Sequence, residues 1–214
     1  MAIAEILPGV YHWTAAHPRH GFITSSYWLE DGGVAIDPLL PQEGIEWFAQ
    51  RDTAPSAVVL SNRHHYRHSG ELNERFGVPV LVPRSGLHEF THDEPVVPYE
   101  PDDTLPDGLL AVEVGAICPD ECALYLESLR ALWLADSVVR AFAPDSQPGF
   151  VPDSLMDDPP QTKAGILEAL SSVLDNHDVE NVLLAHGPPM LHDGGEQLRE
   201  FIAGGGRTAT EAFV

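Results

Sequence analysis

Lysine is almost missing from this 214-residue chain. Lys163 is the only one, and lysine and arginine together number 11 against 33 aspartates and glutamates. The formal net charge of −22 argues against the basic patches that hold phosphate backbones, so neither nucleic acid nor an anionic membrane surface is an expected partner. Such an excess of carboxylate serves solubility, and it keeps a surface hydrated at high ionic strength. Long apolar runs are absent too: nothing approaches the roughly 18 consecutive residues of a membrane helix. Cysteine is scarce. Cys118 and Cys122 stand close together and make no disulfide framework. The opening residues MAIAEILPGVYHW carry neither the basic nor the apolar region of a secretory leader, and the expected location is cytoplasmic.

What is present suits one domain, 1–214, with a full core. Short apolar stretches at 3–7 and 10–14, split by Pro8-Gly9, predict two strands around a turn. Strands at 23–29 and 34–36 flank a hairpin turn at 30–33. A helix is expected over 42–51, burying Ile45, Trp47 and Phe48. Further strands are expected at 78–82, 109–114, 123–126 and 131–134, the last two as a hairpin, and at 179–184. The segment 91–107 is rich in proline and acid and reads as loop with at most one short strand, and 140–160 reads as a proline-rich loop. An amphipathic helix is expected at 163–174, with Ile166, Leu167, Leu170 and Leu174 on one face, and a last helix at 195–203. The apolar residues Phe142, Phe150, Val151, Leu155 and Met156 are suited to cover a cleft or a second copy in a homo-oligomer.

The most informative stretch is AVVLSNRHHYRHSGEL, from Ala57 to Leu72. A β-branched run, Val58-Val59-Leu60, breaks into a polar loop with His64, His65 and His68, and a helix begins near Glu71. Imidazoles at the C-terminal end of a strand are how α/β proteins place metal-binding or catalytic groups. Three other expected strand ends carry polar groups: Asp37, Asp136 and His186.

In this order the pieces resemble the metallo-β-lactamase-fold hydrolase superfamily. The resemblance rests on Pro8-Gly9-Val10-Tyr11, Ala35-Ile36-Asp37-Pro38, the strand-to-histidine loop, Leu134-Ala135-Asp136 and Leu184-Ala185-His186-Gly187-Pro188, and it spans nearly the whole chain. It implies an α/β (α+β) four-layer αββα sandwich. It also implies a paired zinc, iron or manganese centre held by a His-x-His-x-Asp-His motif, a further histidine, a bridging aspartate at Asp136 and a last histidine at His186. This sequence departs from that pattern. One register puts Asn62, His64, Tyr66 and Arg67 on the motif, and the other puts Arg63, His65, Arg67 and His68 there. Gly115-Ala116-Ile117-Cys118 stands where the further histidine belongs, which makes Cys118 a candidate substitute.

The resemblance thus implies a reduced site with one ion at most, or none. His64, His65, His68, Asp136 and His186 are the candidate ligands, and Asp136 is the candidate catalytic group. Asp37, Asn62, Arg63, Tyr66, Arg67 and Cys118 are expected around them as supporting or substrate-facing residues. Arg67, permanently charged, is expected to point inward and pair with Asp136 or Asp37. The implied activity is hydrolysis of a small ester, thioester or lactone. The alternative is a metal-free, non-catalytic protein that binds a small anion or a partner through the remnant site.

Overall fold

In strand after strand, successive side chains enter two different cores. The computed structural model describes residues 2–143 and 145–209. In β3 (Ile23–Leu29), Tyr27 and Leu29 join a central core while Trp28 faces an outer one. In β4 (Val34–Ile36), Val34 and Ile36 go inward and Ala35 outward; around β5 (Ala57–Val59), Val59 goes inward and Val58 outward. The second sheet repeats the pattern. Trp133 of β10 (Ala131–Leu134) and Leu183 of β11 (Asn181–Leu184) meet the same central core, while Leu132, Leu134, Val182 and Leu184 face away. Two sheets with apolar residues on both faces need four layers, because each outer face must be covered.

Helices supply the covers. Trp47 and Phe48 of α1 (Glu46–Ala49) and Leu72 of α2 (Ser69–Phe76) close the first sheet. Ile166, Leu170, Val173 and Leu174 of α3 (Pro159–Asn176) close the second, with Leu198 and Phe201 of α4 (Gly194–Ala203). The four-layer αββα sandwich is therefore the architecture. Burying each such large side chain contributes about 1.5–3 kcal/mol, which is why the alternation is decisive. No helix among the described residues is long and apolar enough to cross a membrane.

Sheet order places the site. The seven-stranded sheet runs β1 (Ala4–Leu7), β2 (Val10–Ala16), β3, β4, β5, β6 (Val80–Pro83) and β7 (Val96–Tyr99). The four-stranded sheet runs β11, β10, β9 (Cys122–Leu126) and β8 (Leu110–Glu113). β4 and β5 are parallel, as are β10 and β11, so each pair ends at one edge. Hydrogen bonds stitch the sheets together at that edge: Ser25 N to Ala185 O at 2.8 Å, and Cys122 N to Ser61 O at 2.9 Å.

Several expected boundaries move. The helix at 42–51 shrinks to Glu46–Ala49, because Gly44 takes a φ of +76° and closes a turn onto Pro41 O. α3 starts earlier than residue 163. The Asp158 carboxylate accepts from Gln161 N at 3.1 Å, and Pro159 and Pro160 occupy the first turn, where no N–H is needed. Of the apolar residues in the loop, Phe150, Val151 and Met156 are buried, while Phe142 and Leu155 are exposed. Pro144, in that loop, lies outside the described residues.

Candidate metal centre

The strand ends deliver Asp37, the loop after β5, Asp136 and His186 to one place. Asp37 is buried, with a left-handed φ of +46°. Its Oδ1 accepts from Ser61 N at 2.9 Å, and its Oδ2 accepts from the Ser61 hydroxyl and meets His65 Nδ1 at 2.9 Å. That contact turns the other ring nitrogen of His65 outward, where Nε2 lies 3.5 Å from Asp136 Oδ1. His186 Nε2 approaches the same oxygen at 3.0 Å. Asn62 Nδ2 donates to Asp136 Oδ2 at 2.7 Å.

Histidine and carboxylate atoms of His65, Asp136 and His186 lie within 4.8 Å of one another, the one such trio among the described residues. Two imidazoles and a carboxylate, with a second carboxylate steadying one imidazole from behind, fit a single divalent cation with room for a further ligand.

The electrostatics close without an ion. Burial and the Arg67 charge oppose protonation of His65, but Asp37 and Asp136 outweigh them and lift the imidazole to about 9. Burial likewise opposes ionisation of Asp136, yet the His65 charge and the hydrogen bonds from His186 and His65 hold its carboxyl well below the ordinary range. Asp37 is also held low: burial works against it, and His65 and Arg67 prevail. His186, beside the cationic His65, is pushed down, chiefly by burial. Two carboxylates thus face two cations, His65 and Arg67.

Arg67 has a left-handed φ of +45°, which turns its side chain back toward the sheet. Nη1 donates to Ser25 O at 3.1 Å and to Asp37 O at 2.7 Å. The guanidinium therefore points inward as expected. The expected pairing with a carboxylate needs correction: Arg67 reaches Asp37 through its main-chain oxygen, and no ion pair to Asp37 or Asp136 forms.

Neither register of the expected motif describes the loop. Arg63–His65 is a 3₁₀ turn capped by Asn62, whose side chain accepts from His64 N at 2.9 Å. Three residues make one turn, so Asn62 and His65 face the same way, although they belong to different registers. His64 stands exposed on the cavity wall outside the trio. His68 is also outside it: its Nδ1 accepts from Leu40 N at 2.8 Å and its own N–H donates to Pro38 O, so it braces the loop after β4. Cys118 lines the cavity, but burial and the Asp136 charge push its thiol up to about 12, and it is not among the grouped donors. Tyr66 packs on Phe90, and Gly70 leaves it room, since a Cβ there would lie 2.8 Å from the hydroxyl. Arg63 pairs with buried Asp120 and lies 3.6 Å from Glu89.

The sequence reading missed Ser61, Asp120 and Glu121. Ser61 stands two residues past the end of β5, where a hydroxyl just beyond a strand was visible. Glu121 is buried, accepts from Ser137 N at 3.0 Å, and is pushed up to about 7 by burial and by Asp136. Its neighbours Pro119 and Cys122 gave no hint of that. His65, Asp136 and His186 open onto a cavity of about 970 Å³.

No family model matches the sequence, and no curated protein does either. Solved structures do match over nearly the whole chain. A metallo-β-lactamase from Pontibacter korlensis aligns with a TM-score of 0.70 at 18% identity, covering 94% of this chain and 98% of that one. The metallo-β-lactamase FIM-1 from Pseudomonas aeruginosa, solved in a mono-zinc form, aligns with a TM-score of 0.67 at 12% identity over 95% of both chains. This chain has the metallo-β-lactamase fold. A metallo-β-lactamase family protein from Thermus thermophilus aligns as well, with a TM-score of 0.64 at 17% identity over 94% of this chain and 80% of that one. Within the metallo-β-lactamase fold this chain is divergent in sequence, and its trio sits at the edge where the strand ends gather.

Proposed function

We propose that the protein is a metal-dependent hydrolase of a small ester, thioester or lactone, working with one cation at most: zinc, iron or manganese. The observation that carries the reading is the convergence of His65 Nε2, His186 Nε2 and the Asp136 carboxylate on one point. When bound, such a cation supplies Lewis acidity and makes water a better nucleophile near neutral pH.

The chain's own groups do the rest. Asp37 fixes the His65 ring by its contact at Nδ1 and leaves Nε2 as the donor atom. His65 must release the Nε2 proton before that atom can bind a cation. Asn62 holds Asp136 Oδ2, leaving Oδ1 to face the two imidazoles, where Asp136 serves as ligand or as candidate base. Arg67 keeps a positive charge behind Asp37, so a carboxylate-rich site does not depend on the cation alone. The cavity, about 970 Å³, is in the range that takes a small organic substrate. A cytoplasmic setting is part of the proposal and rests on the scarcity of cysteine.

The test is metal analysis of protein purified without added metal. It is paired with hydrolysis of short-chain p-nitrophenyl esters, acyl thioesters and γ-lactones before and after EDTA treatment and zinc reloading. The expected result is up to one equivalent of metal and turnover that EDTA removes and zinc restores. Two equivalents at full occupancy overturn the single-ion reading. No metal uptake together with no turnover overturns the hydrolase reading in favour of a metal-free anion-binding protein.

A further inference from the structure

β3 outruns its neighbour. β4 pairs only with Tyr27, Trp28 and Leu29, so from Ser26 back to Ile23 no strand pairs on that side among the described residues. Main-chain groups there need other partners, because a buried N–H or C=O left unmet is costly. Ser25 is fully buried and spends its groups on one target. Its N–H donates to Ala185 O at 2.8 Å, and its hydroxyl donates to Gly187 O at 2.9 Å. Those two carbonyls belong to the residues that flank His186. The Ser25 carbonyl accepts from Arg67 Nη1 at 3.1 Å.

The remaining partner is His12, whose Nε2 lies 2.9 Å from Ser25 Oγ. A hydroxyl has one proton to give, and a carbonyl can only accept. The Ser25 proton is taken by Gly187 O, so His12 must be the donor to Oγ. Burial pushes the His12 imidazole down to about 4, so the ring is neutral at pH 7 and carries its single N–H at Nε2. The same ring stacks on Tyr27 at 5.0 Å between centroids. The Tyr27 hydroxyl donates to Leu184 O at 2.8 Å and accepts from Leu184 N at 3.0 Å. Ser25 and Tyr27 share one face of β3, and together they grip the chain at Leu184, Ala185 and Gly187.

We propose that Ser25, held by His12, is a positioning residue for His186: it fixes the main chain on both sides of that histidine and so aims Nε2 at Asp136. A shift of that main chain would carry the imidazole with it, and ligand distances at a metal site tolerate only about 0.2 Å. The inference rests on the trio being the site of the hydrolase reading, though it concerns the aim of one imidazole and not the substrate.

The first measurement uses wild type alone. Long-range proton–nitrogen spectra of histidine-labelled, EDTA-treated protein at pH 7 read the tautomer of each ring. His12 is expected as the Nε2–H form. A proton on Nδ1 instead means that Ser25 donates to His12 and not to Gly187 O, which overturns the proposal. The second measurement compares Ser25→Ala with Asn181→Ala. Asn181 is also buried, and its side chain donates to Leu129 O and accepts from His192 N. It opens β11 at the end away from His186, about 16 Å along an extended strand. Both variants are expected to melt below wild type. Only Ser25→Ala is expected to move the His186 ring signals in EDTA, and to weaken zinc about 10- to 100-fold in competition with a chromophoric chelator. Unmoved His186 signals or undiminished zinc affinity in Ser25→Ala overturns the proposal, as does an equal effect of Asn181→Ala on both. If wild type takes up no zinc while Ser25→Ala moves the His186 signals, the positioning role stands and the metal-dependent hydrolase reading falls.

Discussion

Asn62 and His65 reach the two oxygens of the same carboxylate. Asn62 Nδ2 stands 2.7 Å from Asp136 Oδ2, and His65 Nε2 stands 3.5 Å from Oδ1. The 3₁₀ turn between them makes this pairing, since residues three apart eclipse. Asn62 thus orients Asp136 without being a metal donor itself. Asn62→Ala is expected to lower zinc affinity about 10- to 100-fold, the usual effect of losing a group that orients a ligand. Competition with a chromophoric chelator measures it, and an unchanged affinity refutes the orienting role.

Arg67 is the second cation that balances Asp37 and Asp136. Removing it leaves a buried carboxylate short of compensation and two main-chain oxygens without a donor. Arg67→Ala should cost about 1–3 kcal/mol in EDTA-treated protein, the cost of buried acceptors left without their donor. Arg67→Lys should recover only part of that, because one ammonium does not reproduce the planar fork. Urea unfolding of the three proteins in EDTA is the measurement, and an Arg67→Ala midpoint equal to wild type rules the idea out.

His65 sets a pH dependence in the metal-free protein. Its imidazole titrates near 9 in the folded chain against an ordinary 6.5. A raised cationic pKa stabilises the fold fully below pH 6.5 and loses its effect as pH climbs through about 9. The shift corresponds to about 3 kcal/mol. Unfolding of wild type and His65→Gln in EDTA from pH 6 to pH 10 should show a gap that narrows between about pH 6.5 and about pH 9. A constant gap means that His65 is not the charged partner of the two aspartates.

Gly187, next to His186, has a φ of +123°, and a Cβ there would lie 2.2 Å from Arg140 O. The same strand end is tied by Arg140 N donating to His186 O at 2.8 Å. Gly187→Ala should cost at least about 1–3 kcal/mol and displace His186. A lower melting temperature together with weaker zinc binding is the expected pair of results. Loss of neither contradicts the packing described.

Period-two alternation made the sandwich legible in the sequence. Trp28 between Tyr27 and Leu29, or Leu132 and Leu134 around Trp133, read as strands with two apolar faces. Asp37, Asp136 and His186 were legible for a related reason, since each lies within two residues of the end of such a strand. The histidine loop was harder. A motif read in steps of two assumes extended backbone, and the chain coils into a 3₁₀ turn instead, so His65 enters and His64 and His68 do not. Arg67 was placed inward because both registers set it on the motif and because it carries a permanent charge. Its actual partners are carbonyl oxygens, which no side-chain pattern reveals. Asp120 and Glu121 were missed because nothing in their neighbourhood marks a loop carboxylate for burial.

The balance of Asp37 and Asp136 against His65 and Arg67 bears on how the protein is made in a cell. A nascent chain whose site is already neutral can finish folding with no ion at hand. Biogenesis and metal supply are then separate events. Cells starved of zinc should accumulate intact, protease-resistant protein that gains metal later and gives up the His65 proton as it does so.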